Sequence, residues 1–251
     1  MDAFVKSEHS SGICTIEFFH PSSNSLPSEI LASIANSITE AGSNDDARVI
    51  ILKSFGNRAF CAGASFDELV AISNEEEGLK FFSGFANVIN AIRLCPKFVI
   101  GRVQGKAVGG GVGIASAVDH CFATKHAAVK LSELAIGIGP FVVGPAVERK
   151  LGTSGFSQLT IDATSWKDAN WAAQYGLYSE VFDTADQMDI AVTNLAEKLA
   201  KSSQEAIREL KKVLWAGTEG WDTLLKERAA ISGRLVLSDF TRNAIAALKN
   251  K

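Results

Sequence analysis

The chain has 251 residues, of which 47% are hydrophobic and 21% charged, and its formal net charge is −3. This composition predicts a globular protein with a substantial core and excludes attraction to nucleic acid or to anionic membranes through bulk charge. The four cysteines are far apart in sequence, which favours free thiols over disulfides or a zinc site. No apolar run approaches the roughly 20 residues of a membrane span, and the N-terminus has no signal-peptide pattern, so we expect a cytoplasmic protein without a membrane partner.

The first half of the chain alternates between apolar runs and helical periodicity. Four strands are predicted, at Gly12–Phe19, Val49–Ser54, Phe98–Val103 and His120–Ala123. Helices are predicted between them, at Pro27–Ala41, Phe66–Val70, Leu79–Leu94 and Gly109–Val118. This alternation indicates an α/β fold with parallel strands.

The pattern after Gly144 is almost entirely helical. Predicted helices there are Pro145–Leu151, Gly155–Thr160, Ser165–Tyr175, Asp186–Ala200, Ser203–Trp215 and Asp222–Leu248. One possible strand lies near Tyr178–Phe182. We therefore predict a core at residues 1–190 and a helical C-terminal region at residues 191–251.

Two features between Val99 and Gly139 indicate a catalytic site. Three consecutive glycines, Gly109 to Gly111, open a small-residue helix whose free N–H groups and positive dipole end would face an anion. Glu133 is the one acidic residue in the otherwise uncharged Leu131–Gly139 window, where a carboxylate is a candidate acid or base with a raised pKa. Together they predict an anion-stabilising amide site that faces a proton-transfer group.

Three segments in order carry a family resemblance. They are Ala59–Phe66 (AFCAGASF), Gly105–Gly111 (GKAVGGG) and Ala169–Val181, which contains Gly176-Leu177-Tyr178. In these segments the chain resembles the crotonase family, the enoyl-CoA hydratase/isomerase superfamily. The resemblance implies a crotonase-like spiral of β-β-α repeats with a helical C-terminal trimerisation region. It also implies homotrimers or dimers of trimers, and a coenzyme A thioester as substrate, with no separate cofactor and no metal.

The resemblance also implies roles for individual residues. The N–H groups of Ala64 and Gly110 would bind the thioester oxygen as it becomes an enolate. Glu133 matches the second of two glutamates that hold water in the family's hydratases. The first glutamate is absent, because Gly113 stands where it would follow the glycine triplet.

The missing glutamate decides which reaction we expect. Hydration needs a base for water and an acid for carbon, which two carboxylates supply readily, whereas a double-bond shift needs only one carboxylate. We therefore predict an enoyl-CoA isomerase that uses Glu133. The alternatives are a hydratase acting with a single glutamate, a decarboxylase of a branched dicarboxyl-CoA, and an inactive acyl-CoA-binding scaffold. A second acid could come from Ser65, Asp67 or Glu68.

The expected substrate-binding residues are Ala62, Gly109, Gly113, Pro140 and Phe141. Gly113 is expected to leave space for a branched or bulky acyl group, and the Pro140–Val143 segment to shape the acyl pocket. Candidate partners for the coenzyme A phosphates are Arg58, Lys97 and Lys249.

Overall fold

The computed structural model describes residues 1–249 and is organised around a six-stranded sheet. Numbered in chain order among ten strands, its members are β1 (Phe4–Ser10), β2 (Ile13–Phe19), β4 (Val49–Ser54), β6 (Val99–Val103), β8 (His120–Thr124) and β10 (Glu180–Phe182). They lie in that order across the sheet, and every neighbouring pair is parallel except β1 and β2. The predicted parallel sheet is confirmed. β1 was not predicted, because most of its side chains are exposed and its sequence lacks apolar alternation.

A second layer of very short strands accompanies the main sheet. It contains β3 (Ser25–Leu26) beside β5 (Gly63–Ala64), and β7 (Ala107–Val108) beside β9 (Val129–Lys130). A bridge from Cys61 to Ala107 joins the two pairs, and a bridge from Val129 to Lys167 extends the layer. Successive main strands are thus followed by a short strand and then by helix, which confirms the β-β-α spiral.

Ten α-helices and one 3-10 turn complete the described chain. They are α1 (Ser28–Ser43), α2 (Phe66–Ala71), α3 (Glu75–Leu94), α4 (Gly110–Ala117), the 3-10 turn (Glu133–Ile136), α5 (Gly144–Ile161), α6 (Ala169–Gln174), α7 (Ala185–Ala200), α8 (Gln204–Leu214), α9 (Trp221–Leu235) and α10 (Asp239–Lys249). One helix prediction was wrong, because the helix expected at Asp222–Leu248 is broken after Leu235. The two helices expected at Pro145–Leu151 and Gly155–Thr160 lie within α5, on either side of the non-helical residue Gly152.

The C-terminal helices share their packing with the rest of the chain. The predicted boundary at residue 190 falls inside α7, which covers one face of the sheet with Met188 and Val192. Trp221 and Leu225 of α9 belong to the main core. Periodicity identifies the apolar face of such helices but not the surface that it covers. No helix within residues 1–249 combines the length and hydropathy of a membrane span.

A buried ion pair joins α8 to the end of the sheet. The Asp119 carboxylate accepts hydrogen bonds from the Lys211 ammonium at 2.6 Å, the Val99 N–H at 2.8 Å and the Trp215 indole N–H at 2.9 Å. The side chains of Lys211 and Asp119 are only 4% and 6% exposed. One carboxylate therefore connects a strand and two positions of the C-terminal helical region.

Replacing one partner of this pair tests how strongly it supports the fold. We expect Lys211→Met to lower the free energy of unfolding by about 3 kcal/mol, because the buried Asp119 carboxyl would lose its main partner. The neighbouring Lys212 is exposed and pairs with exposed Glu209, so Lys212→Met should change stability by less than about 0.5 kcal/mol. Urea denaturation measures both values. Equal effects of the two substitutions would contradict this account.

Candidate functional site

An apolar cavity of about 380 Å³ lies where the second layer, the start of α4 and the 3-10 turn meet. Its wall includes Ala62, Gly63, Ala64, Val108, Gly109 and Gly110 from the second layer and the glycine turn, and Phe81, Phe82 and Phe85 from α3. Glu133 and the segment from Pro140 to Val143 also line it. Of the predicted site residues, the structure brings together all but Gly113.

Each glycine of the triplet is in close contact with a different segment of the chain. A methyl group on Gly109 would lie 2.9 Å from Oε1 of Glu133, and one on Gly110 would lie 2.2 Å from the ring of Phe85. On Gly111 it would lie 2.5 Å from the carbonyl oxygen of Cys61. Gly109 also has a positive φ of 53°, which favours glycine. The triplet is thus required by protein packing, and not only by the approach of a ligand.

The backbone on both sides of the cavity is held in place. Gly110 is the first residue of α4, so its N–H has no acceptor within the helix, and none is found elsewhere in the described backbone. The preceding N–H, of Gly109, donates to the Lys130 carbonyl at 2.9 Å. Across the cavity, the Ser25 hydroxyl donates to the Ala64 carbonyl at 2.7 Å. All eight residues of α4 are buried, which weakens the screening of its dipole by bulk solvent.

Glu133 is the first residue of the 3-10 turn and directs its carboxylate into the cavity. Its Oε2 is buried, and no hydrogen-bond partner is found for it among the described residues. Burial raises the pKa of this carboxyl from its usual 4.5 to about 7, although a hydrogen bond from its own backbone N–H partly opposes the shift. Glu133 can therefore exist as acid or base near neutral pH.

The turn that carries Glu133 is supported from outside by α10. Gly137, with φ of 81°, closes the turn, and the Ile138 N–H donates to the Glu133 carbonyl at 3.0 Å. A methyl group on Gly137 would lie 2.4 Å from the Phe240 ring and 2.7 Å from the Thr241 hydroxyl. The position of the candidate base thus depends on the last described helix.

The prediction that Gly113 leaves open space beside the acyl group was wrong. A methyl group at Gly113 would lie 2.4 Å from Cγ1 and 2.8 Å from Cβ of Val143. Val143, 4% exposed, fills that space, and Gly113 does not line the cavity. The two residues are complementary in volume although 30 positions apart, which their sequence could not indicate.

None of the candidates for a second acid lines the cavity, and two of them, Ser65 and Glu68, make structural hydrogen bonds. The Ser65 hydroxyl accepts the Glu68 N–H at 3.3 Å and caps α2. The Glu68 carboxylate accepts hydrogen bonds from the N–H and the hydroxyl of Ser28, at 3.0 and 2.7 Å, and caps α1. Neither residue lines the cavity, and neither does Asp67. Cys61 is fully buried, which raises the pKa of its thiol to about 12 and keeps it neutral.

Of the candidate partners for the coenzyme A phosphates, neither Lys97 nor Arg58 lines the cavity. Lys97 is buried, and its ammonium donates to the carbonyls of Ala41, at 2.8 Å, and Asn44, so it is not available to a phosphate. Arg58 is exposed but does not line the cavity. The side chain of Lys249 lies outside the described part of the chain.

One wall of the cavity, formed by α3 and α9, was not predicted from the sequence. These helices cross in backbone contact, since a methyl group on Gly78 would lie 2.7 Å from Cα of Gly233. The close crossing brings Ser232 of α9 to the cavity beside the phenylalanines of α3. The spacing of Phe81 and Phe85 indicated one helix face, but nothing in the sequence showed that this face borders the site.

Comparisons with known proteins show what the chain is similar to. The family model for enoyl-CoA hydratase/isomerase matches residues 8–242. The (7aS)-7a-methyl-1,5-dioxo-2,3,5,6,7,7a-hexahydro-1H-indene-carboxyl-CoA hydrolase of Mycobacterium tuberculosis is 28% identical over 81% of this chain and 80% of its own. Short-chain-enoyl-CoA hydratase of Clostridium acetobutylicum is 28% identical over 91% of this chain and 87% of its own. The crystal structure of enoyl-CoA hydratase from Bacillus halodurans has the same fold, with a TM-score of 0.90 and 20% identity, covering 97% of this chain and 99% of that one.

The raised pKa of Glu133 predicts that this side chain destabilises the folded protein at high pH. The folded state holds the proton more tightly than the unfolded state, so the penalty is absent below about pH 4.5, grows as pH rises, and is complete above about pH 7. We expect Glu133→Gln to raise the free energy of unfolding by up to about 3 kcal/mol at pH 8. Below pH 4.5 the substitution should have little effect. Denaturant titrations at the two pH values measure the difference, and a gain that is independent of pH would contradict the prediction.

Proposed function

The chain belongs to the enoyl-CoA hydratase/isomerase family, and from that premise we propose that it moves the double bond of a 3-enoyl-CoA to the 2-position. Its relatives are acyl-CoA enzymes, and the chain is an enzyme of this kind. In the proposed reaction Glu133 acts as both base and acid, and the N–H groups of Ala64 and Gly110 hold the thioester oxygen.

The observation that carries the proposal is the single carboxylate of the cavity. Glu133 is the one acidic residue among the described residues that line it. Val143 fills the space in front of Gly113, where the family's hydratases have their first glutamate. A second carboxylate at residue 113 would need Val143 to move. Hydration by a pair of carboxylates therefore has no support in this packing, whereas isomerisation needs only one.

The proposed reaction transfers one proton from C2 to C4 of the acyl group through Glu133. Ionised Glu133 removes a proton from C2 of the 3-enoyl thioester, and the electron pair moves onto the thioester oxygen to give a dienolate. Protonated Glu133 then returns the proton to C4, and the double bond forms between C2 and C3. No water enters and no group leaves.

The backbone amides and aromatic side chains around the cavity would stabilise the dienolate intermediate. The negative charge forms on an oxygen that two fixed amides would face, one of them at the positive end of α4. Such a donor contributes about 3 kcal/mol to other enzymes. The phenylalanines of α3 and Phe141 would keep bulk water away from the dienolate and so strengthen these interactions.

A mass-resolved panel of thioesters tests the reaction. We expect a 3-enoyl-CoA to give a product of unchanged mass, and Glu133→Gln to lower its rate by at least about a thousandfold while thioester binding is retained. The matched control is Glu68→Gln, since this substitution removes a carboxylate that does not line the cavity. A product heavier by one water would assign hydration, and loss of CO2 from a branched dicarboxyl-CoA would assign decarboxylation. Binding without any turnover would favour the inactive scaffold.

The pH dependence gives a second, independent test. Because Glu133 must be ionised to remove the first proton, kcat/KM should rise about tenfold per pH unit below pH 7 and level off above it. Stopped assays with a pantetheine thioester avoid titration of the coenzyme A phosphates. A profile without a step between about pH 5 and pH 9 would contradict the role of Glu133 as the base.

A further inference from the structure

One buried hydroxyl group lines the cavity and has no hydrogen-bond partner among the described residues. It belongs to Ser232 of α9, which lines the cavity although it is only 1% exposed. A serine inside a helix can donate to the carbonyl four residues earlier, as Ser83 does to Leu79 at 2.6 Å and Ser116 to Val112 at 2.8 Å. The Ser232 hydroxyl makes no such bond and none with another group of residues 1–249. It is therefore available to a ligand in the cavity.

The surroundings of Ser232 are apolar. Val236, one helix turn later on the same face of α9, belongs to a cluster with five residues that line the cavity, which we call the apolar end: Phe66, Leu69, Phe82, Ile136 and Ile138. The other polar or charged side chains that line the cavity come from different segments: Lys130, Ser132, Glu133 and Thr164. No hydrogen bond joins Ser232 to the Glu133 carboxylate. Ser232 is thus a separate polar group beside the apolar end.

Helix α3 gives the distance between Ser232 and the start of α4. The Phe85 ring lies against Gly110, where an added methyl group would be 2.2 Å away, whereas Gly78 is in backbone contact with Gly233, the neighbour of Ser232. Gly78 precedes Phe85 by two turns of α3, which is about 10 Å along the helix axis. An extended chain advances about 1.2 Å per bond, so about eight bonds cover this distance. Ser232 therefore lies at the far end of the cavity from the Gly110 amide.

We propose that the Ser232 hydroxyl forms a hydrogen bond with an oxygen atom at the far end of the acyl group, so that the preferred substrates are medium-chain thioesters with a terminal hydroxyl or carbonyl oxygen. This inference rests on the proposed function, since it takes the cavity to be the acyl site. A methyl-ended chain would bury the Ser232 hydroxyl without a partner, which is unfavourable. A terminal oxygen supplies that partner, while the apolar end binds the hydrocarbon part of the chain.

Binding of saturated thioesters, which cannot be isomerised, tests this proposal. Calorimetry would compare pairs of similar size: 6-hydroxyhexanoyl- with heptanoyl-CoA, 8-hydroxyoctanoyl- with nonanoyl-CoA, and 10-hydroxydecanoyl- with undecanoyl-CoA. Ser232→Ala removes the hydroxyl and keeps a small side chain at the helix crossing. We expect it to weaken binding of 8-hydroxyoctanoyl-CoA about tenfold relative to nonanoyl-CoA, with smaller effects in the other pairs. Ser83→Ala, at a hydroxyl that donates to Leu79 and does not line the cavity, should leave all the ratios unchanged.

The outcomes separate a ligand-binding hydroxyl from a merely small residue. If Ser232 is present only because the crossing of α3 and α9 needs a small side chain, Ser232→Ala would leave the ratio of every pair unchanged, and that result would overturn the proposal. Equal weakening of both members of each pair would overturn it too, since the effect would then lie in packing. A changed ratio with retained binding of nonanoyl-CoA supports the proposal in a folded variant. The same change in a protein without isomerase activity would support the role of Ser232 while refuting the proposed reaction.

Discussion

The candidate site depends on the glycine triplet, Gly109 to Gly111, where no side chain keeps neighbouring segments away from the backbone. At the start of α4, a carboxylate, an aromatic ring and a backbone carbonyl approach the backbone so closely that a methyl group on any glycine of the triplet would overlap one of them. These neighbours come from the 3-10 turn, from α3 and from the segment before β5, which are distant in sequence. The glycines therefore set how near the Glu133 carboxylate, the Phe85 ring and the second layer can come to the start of α4.

Close packing also explains the electrostatics of the cavity. A carboxylate without a hydrogen-bond partner at one oxygen is unfavourable in an apolar environment, and its raised pKa is the consequence of that environment. The same environment would make Glu133 a stronger base once ionised. Stability and reactivity are thus opposed at this residue, as is common where function requires a strained or desolvated group.

Local features of the fold and site could be predicted from the sequence. The strand at Val49–Ser54 has the predicted bounds, because a short apolar run between turns has few other conformations available. The glycine triplet and Glu133 were recognisable because each is unusual within its own window. The complementarity of Gly113 and Val143, and the crossing of α3 and α9, could not be predicted, since both depend on which distant surfaces meet. The polar strand β1 has no apolar pattern, and its pairing with β2 gives it its structure.

Because α10 packs against the 3-10 turn, the parts of the cavity form in a particular order during synthesis. Synthesis proceeds from the N-terminus, so the segments that carry Ala64 and Gly110 leave the ribosome well before Phe240 and Thr241 do. A nascent chain can form the two amide positions while the turn with Glu133 still lacks its outer contact. Glu133, the candidate acid–base group, therefore lacks this outer contact until α10 has left the ribosome.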